Sequence, residues 1–66
     1  MDKINVIENS KGQFVGINRT DGSKMNARFV GSSNNYIRVL DRNKNKEVKM
    51  AKSSVESVNY RGQEYR

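Results

Sequence analysis

Apolar residues recur at every second position in three consecutive segments, and this period-two pattern leaves a short chain little choice but an antiparallel sheet. Met25, Ala27 and Phe29 alternate with Asn26, Arg28 and Val30. Ile37 and Val39 alternate with Tyr36, Arg38, Leu40 and Arg42, and Val48 and Met50 alternate with Glu47 and Lys49. Each segment offers one apolar face to a core and one largely polar face to water, with Leu40 breaking the rule. Turn residues separate the segments. Asp21, Gly22 and Ser23 form the strongest hairpin signal, because Gly22 takes a positive φ without a Cβ clash; residues 31–35 and Asn43, Lys44 and Asn45 supply the others. If Val39 faces Val48 and Ile37 faces Met50, Arg38 lies opposite Lys49 and Leu40 opposite Glu47.

The flanks extend the same reading. Residues 2–8 hold Ile4, Val6 and Ile7 in a β-branched run that predicts a short strand, and residues 9–12 read as a turn. Residues 13–20 predict another strand. Whether Phe14 or Val15 faces its core depends on the turn at Asp21, since two-residue and three-residue loops give opposite answers. Residues 53–57 predict a helical or 3₁₀ turn capped by Ser53 or Ser54, residues 58–61 a closing strand, and residues 63–66 a tail. Five or six short strands with one 3₁₀ turn before the last describe a single all-β domain, a small antiparallel SH3-like or Sm-like barrel with its core in residues 12–61.

At 66 residues, with no cysteine, such a domain has neither disulfides nor thiolate metal sites to support it and rests on apolar packing, aided by any self-association into a homodimer. The N-terminus lacks the apolar core of a signal peptide and no apolar run is long enough to span a bilayer, so a cytoplasmic protein is expected.

The charge is unevenly placed. Residues 24–52 hold eight Lys or Arg against Asp41 and Glu47, which accounts for the whole formal charge of +6, while both flanks are balanced. Anionic partners follow: nucleic acid or an acidic protein surface. Histidine and cysteine are both absent, and the carboxylates are scattered beside Lys or Arg, so no catalytic residue, metal site or cofactor site is expected and the chain does not read as an enzyme. Ser53 and Ser54 read as caps rather than nucleophiles. Binding remains.

On the register above, Arg28, Arg38 and Lys49 share the outer face of three neighbouring strands, with Asn26 and Tyr36 beside them; Arg42, Lys44 and Lys46 form a hairpin tip that clamps phosphates or simply keeps the edge soluble. These eight residues are the expected nucleic-acid site, of low sequence specificity because phosphate contacts carry no sequence information. The Arg38 and Lys49 charges repel one another in the free protein, and an anion on that face would relieve them.

The order of these pieces, above all Asp21, Gly22, Ser23, Lys24, Met25, Asn26, Ala27 and Arg28, followed by a strand around residues 36–41, a second basic strand, the turn at residues 54–58 and Gly62, resembles the small phage-associated proteins built on an Sm-like, SH3-like β-barrel, a WYL-related family. The resemblance spans about residues 12–65, with a shorter connection between the second and third strands. It implies the barrel fold and a phage or prophage origin, hence a bacterial host cell as the setting. It also frames the competing expectation, a phage protein that uses the same basic face to bind and inhibit or redirect a host polymerase, nuclease or regulator. A third is an assembly protein whose residues 1–7 pair between subunits.

Overall fold

The computed structural model describes residues 2–66. Helix α1 (Lys3–Glu8) leads into strands β1 (Phe14–Arg19), β2 (Lys24–Ser32), β3 (Tyr36–Asp41), β4 (Lys46–Ala51), β5 (Val55–Tyr60) and β6 (Gln63–Tyr65), with a 3₁₀ turn at Lys52–Ser54 before β5. All six strands are antiparallel and lie in one sheet of order β4-β3-β2-β1-β5-β6. A flat sheet would be one layer, about 10 Å thick. This molecule instead measures 25 × 24 × 23 Å, and Val15, Ile17, Ala27, Ile37, Val39, Met50, Val55 and Val58 meet in one core cluster. The sheet therefore curls around its own apolar face. It is all-β in the manner expected, but it is not a closed barrel: β4 and β6 are its edges, and no ladder joins them among the described residues.

Within the sheet the alternation places the side chains as expected. Tyr36 pairs with Ala51, Ile37 with Met50, Arg38 with Lys49, Val39 with Val48 and Leu40 with Glu47. Ile37 and Val39 are fully buried, so the apolar face of the hairpin fixes its register. The turn before β2 is a three-residue loop: the Arg19 N–H donates to the Ser23 carbonyl at 2.8 Å and the Gly22 N–H to the Arg19 carbonyl at 3.0 Å, with Gly22 at φ 90°. Asp21 locks it by accepting from the Ser23 N–H and hydroxyl at 2.9 and 2.7 Å. Those two bonds hold the Asp21 carboxyl below its ordinary pKa. The loop length turns Val15 and Ile17 inward and leaves Phe14 outside.

The N-terminal segment departs from expectation. Residues 3–8 form a helix, not a strand: the Asp2 side chain accepts the Ile4 N–H at 3.1 Å as N-cap, and Val6 and Ile7 are buried against the sheet. β-branched side chains favour a strand only weakly, and burying Ile7 completely outweighs that preference. Two tethers fix the helix between β2 and β5: Lys3 Nζ donates to the Glu56 carbonyl at 3.1 Å, and Ser32 Oγ donates to Glu8 at 2.9 Å. Strand pairing between subunits through residues 1–7 is thereby set aside for residues 3–8; Met1 lies outside the described residues.

Smaller corrections follow the same logic. The 3₁₀ turn starts one residue earlier than expected, its N-cap is Ala51, and neither Ser53 nor Ser54 caps it by a side-chain hydrogen bond. Strand β5 runs through residues read as part of that turn, and the expected tail forms β6 after a tight reversal in which Arg61 and Gly62 both take positive φ. In β2 a bulge between Phe29 and Gly31 makes Val30 an extra, exposed residue.

Asp41, only 8% exposed, ends β3 and accepts from the backbone N–H groups of Asn43 and Lys44 at 2.9 and 3.3 Å. Replacing it with alanine should cost about 1–2 kcal/mol, and Asp41→Asn, which keeps an acceptor, should recover most of that. Thermal melts would show the loss as about 4–8 °C per kcal/mol in a domain of this size.

Candidate nucleic-acid interface

The outer face of the curled sheet gathers a cluster of cations. Successive outward positions form rows across it: Phe14, Arg28, Leu40 and Glu47 in one, Gly31, Arg38 and Lys49 in the next, and Tyr36 with Ala51 beyond. The structure thus brings Arg28, Arg38 and Lys49 onto one wall of β2, β3 and β4, as their register requires, with Tyr36 at one end and Asn26 at the other. Arg42, Lys44 and Lys46 are exposed in and beside the hairpin joining β3 to β4. Arg42 is tied to the wall, because its N–H donates to the Asn26 carbonyl at 2.8 Å, whereas Lys44 and Lys46 stand at the tip.

The residue that organises this wall is one whose orientation the sequence left open. Phe14 is 38% exposed, and the guanidinium carbons of Arg28 and Arg42 lie 5.8 and 5.1 Å from its ring centroid. Cations hold position over an aromatic face through its quadrupole. An exposed ring is thus framed by two arginines from β2 and the β3–β4 hairpin. At the other end Lys49 Nζ stands 4.0 Å from the Tyr36 ring centroid. The signal for Phe14 in the sequence was Asp21, whose side chain locks the three-residue loop.

Arg38 and Lys49 are opposite one another, and their repulsion is eased by where each side chain turns. Lys49 turns toward Tyr36, while Arg38 turns the other way to Glu47, 3.4 Å away, in an exposed ion pair. The Arg38 guanidinium also rests on Gly31, occupying the space a Cβ there would take. Of Arg28, Arg38 and Lys49, Arg38 is accordingly the least exposed.

Beside the wall, on β1, β2 and β5, lies a second feature: a groove floored by Gly16 and lined by Asn18, Asn26, Asn43 and Asn59. Of these only Asn26 stood out in the sequence, since asparagines scattered over separate strands carry no local pattern. Among the described residues there is no cluster of His, Cys, Asp or Glu suited to a metal ion, and no helix is long and apolar enough to cross a membrane.

No protein-family model, no curated protein and no solved structure matches this chain.

Proposed function

We propose that the protein is a non-enzymatic binding domain for single-stranded nucleic acid, DNA or RNA, held on the outer wall of β1 to β4 with low sequence specificity. The observation that carries this reading is the exposed Phe14 ring framed by Arg28 and Arg42. Unpaired bases stack on aromatic rings and on guanidinium planes, and cations beside them track the backbone, so the ring and the two guanidiniums over it supply both. Tyr36 with Lys49 repeats the combination farther along the wall, and Lys44 and Lys46 extend the positive field at the hairpin tip. A duplex buries its base faces and would use the arginines but not the ring.

The curled sheet, with β5 returning beside β1, also suits an open small-barrel architecture of the SH3-like or Sm-like kind, while the kinship to phage-associated small barrels rests on the sequence resemblance alone. Both belong to this proposal.

Labelled single-stranded DNA, single-stranded RNA and duplex DNA, each about 12 nucleotides or base pairs long, titrated at two salt concentrations, test it. With about five cations engaged, the log–log slope of affinity against salt should be about −3.5 on single strands and −4 to −5 on duplex, with single strands bound more tightly once salt suppresses the electrostatic part. Absence of binding at low salt would end the nucleic-acid reading. Retention of one host protein at high salt in a bacterial lysate pull-down would move the partner to an acidic protein surface.

A further inference from the structure

Gly16 is the next outward position along β1 from Phe14, roughly 7 Å away. It pairs with Asn26 on one side and Asn59 on the other. A Cβ there would meet Asn59 Cβ at 3.5 Å and Asn26 Oδ1 and the Asn59 carbonyl oxygen at 3.8 Å, all ordinary contacts, and its φ is not in the left-handed region. Neither crowding nor backbone geometry demands a glycine. What the missing side chain does is open the outer face between the Phe14 ring and the β1–β2 loop. The groove so formed has a volume of about 860 Å³, within the range of pockets that take a drug-sized molecule, so a nucleotide fits.

The two sides of the groove differ in charge. On the β5–β6 side Glu56 and Glu64 both lie against Arg66, at 3.7 and 2.9 Å, so carboxylates outnumber the cation and phosphate is not favoured there. On the β2 side stands Lys24, exposed, in outward register with Asn26 and Arg28 and without a carboxylate partner among the described residues. Arg19 lines the same end but shares its field with Asp21. Lys24 is four residues from Arg28 along one strand, about 13–14 Å. Two cations thus bracket the β2 side of the groove. The exposed amides of Asn26 and Asn59, flanking Gly16, each offer a donor and an acceptor to the edge of any base.

Granted a single strand lying on the Phe14 wall, we propose that it does not end at the ring but continues over Gly16 to Lys24, its phosphates following the β2 side from Arg28 and its bases lying over the glycine. Gly16 and Lys24 thereby join the interface, and at this end the strand runs along β1 and β2 instead of crossing toward the carboxylates of β5 and β6. Amides that pair with any base edge and a lysine that meets phosphate carry no sequence information, so the low specificity extends to this part of the path. A side chain at Gly16 would stand in the strand's way.

Two measurements with the oligonucleotide dT12 test this course: amide chemical shifts of the isotope-labelled protein, and the salt dependence of affinity for Lys24→Gln and Gly16→Leu. The signals of Gly16 and Lys24 should move together with that of Phe14. Lys24→Gln should weaken binding about fivefold at about 50 mM salt and flatten the log–log slope by about 0.7, the share of one phosphate contact on a single strand. Gly16→Leu keeps every charge, yet it should flatten the slope by a similar amount, because the strand no longer reaches Lys24. Lys24 is exposed, so its variant and the shifts carry the test should Gly16→Leu fold poorly. Shifts that leave Gly16 and Lys24 unmoved, or a Lys24→Gln slope equal to the wild type's, overturn the extension while leaving the nucleic-acid reading standing. A well-folded Gly16→Leu with the wild-type slope overturns the route over the glycine. Failure of dT12 to bind at low salt removes both.

Discussion

Reversing the two charges over Phe14, by Arg28→Glu with Arg42→Glu, is expected to weaken binding of a 12-nucleotide single strand by roughly a hundredfold at about 50 mM salt and to flatten the salt slope by about 1.5. Both side chains are exposed, so the fold should survive, and an unchanged melt would show that it has. The same reversal at Arg38 and Lys49 should cost clearly less. Arg38 already spends its charge on Glu47, and Lys49 is drawn over Tyr36, whereas neither arginine at Phe14 has a carboxylate partner among the described residues. Phe14→Ala, which removes the ring and keeps both charges, should lose about tenfold with no change in slope. If the Arg38 and Lys49 reversal proves the more damaging of the two, the centre of the site lies on β3 and β4 and the emphasis on Phe14 is wrong.

Ile7→Ala should cost about 2–4 kcal/mol, because Ile7 is fully buried in the core cluster and its removal leaves a cavity that the helix and sheet cannot fill. A 66-residue domain has only about 3–10 kcal/mol of stability to lose. Urea or thermal unfolding followed by circular dichroism should therefore show either a melt lowered by more than 10 °C or a substantial unfolded fraction at 37 °C. The outcome separates two pictures of the N-terminus. Were residues 2–8 a half-exposed edge strand, the same substitution would cost about 1 kcal/mol or less.

Where period-two alternation was strong, the residues announced their own places. Ile37, Val39 and Met50 could only face one way once the β3–β4 turn was located, and the whole register of that hairpin followed, including the face shared by Arg28, Arg38 and Lys49. Residues 3–8 were opaque for the opposite reason. Six residues are too few to show a helical period, their β-branched composition argues for a strand, and what decides the matter is a core assembled from β2 and β5, far away in sequence. Phe14 was undecided because one residue of loop length at Asp21 inverts a strand. Closure was misjudged since strand count and turn spacing describe a curled sheet and a sealed barrel equally well. The asparagine groove could not be seen at all before the strands were aligned.

The bulge at Val30 has a bearing on which length changes this chain tolerates. The ladder resumes beyond that one additional residue with Gly31 beneath the Arg38 guanidinium and Ser32 opposite Ile37, where it reaches Glu8 of the helix. Val30 itself is 43% exposed and contributes little to the core, so its identity is nearly free. Its presence is nearly free as well: with it deleted, Gly31 would follow Phe29 directly and still face Arg38, and Ser32 would still face Ile37, so the ladder would become regular. Deleting a residue at a regular position of β2, such as Arg28, would instead turn the side chains on one side of it to the other face.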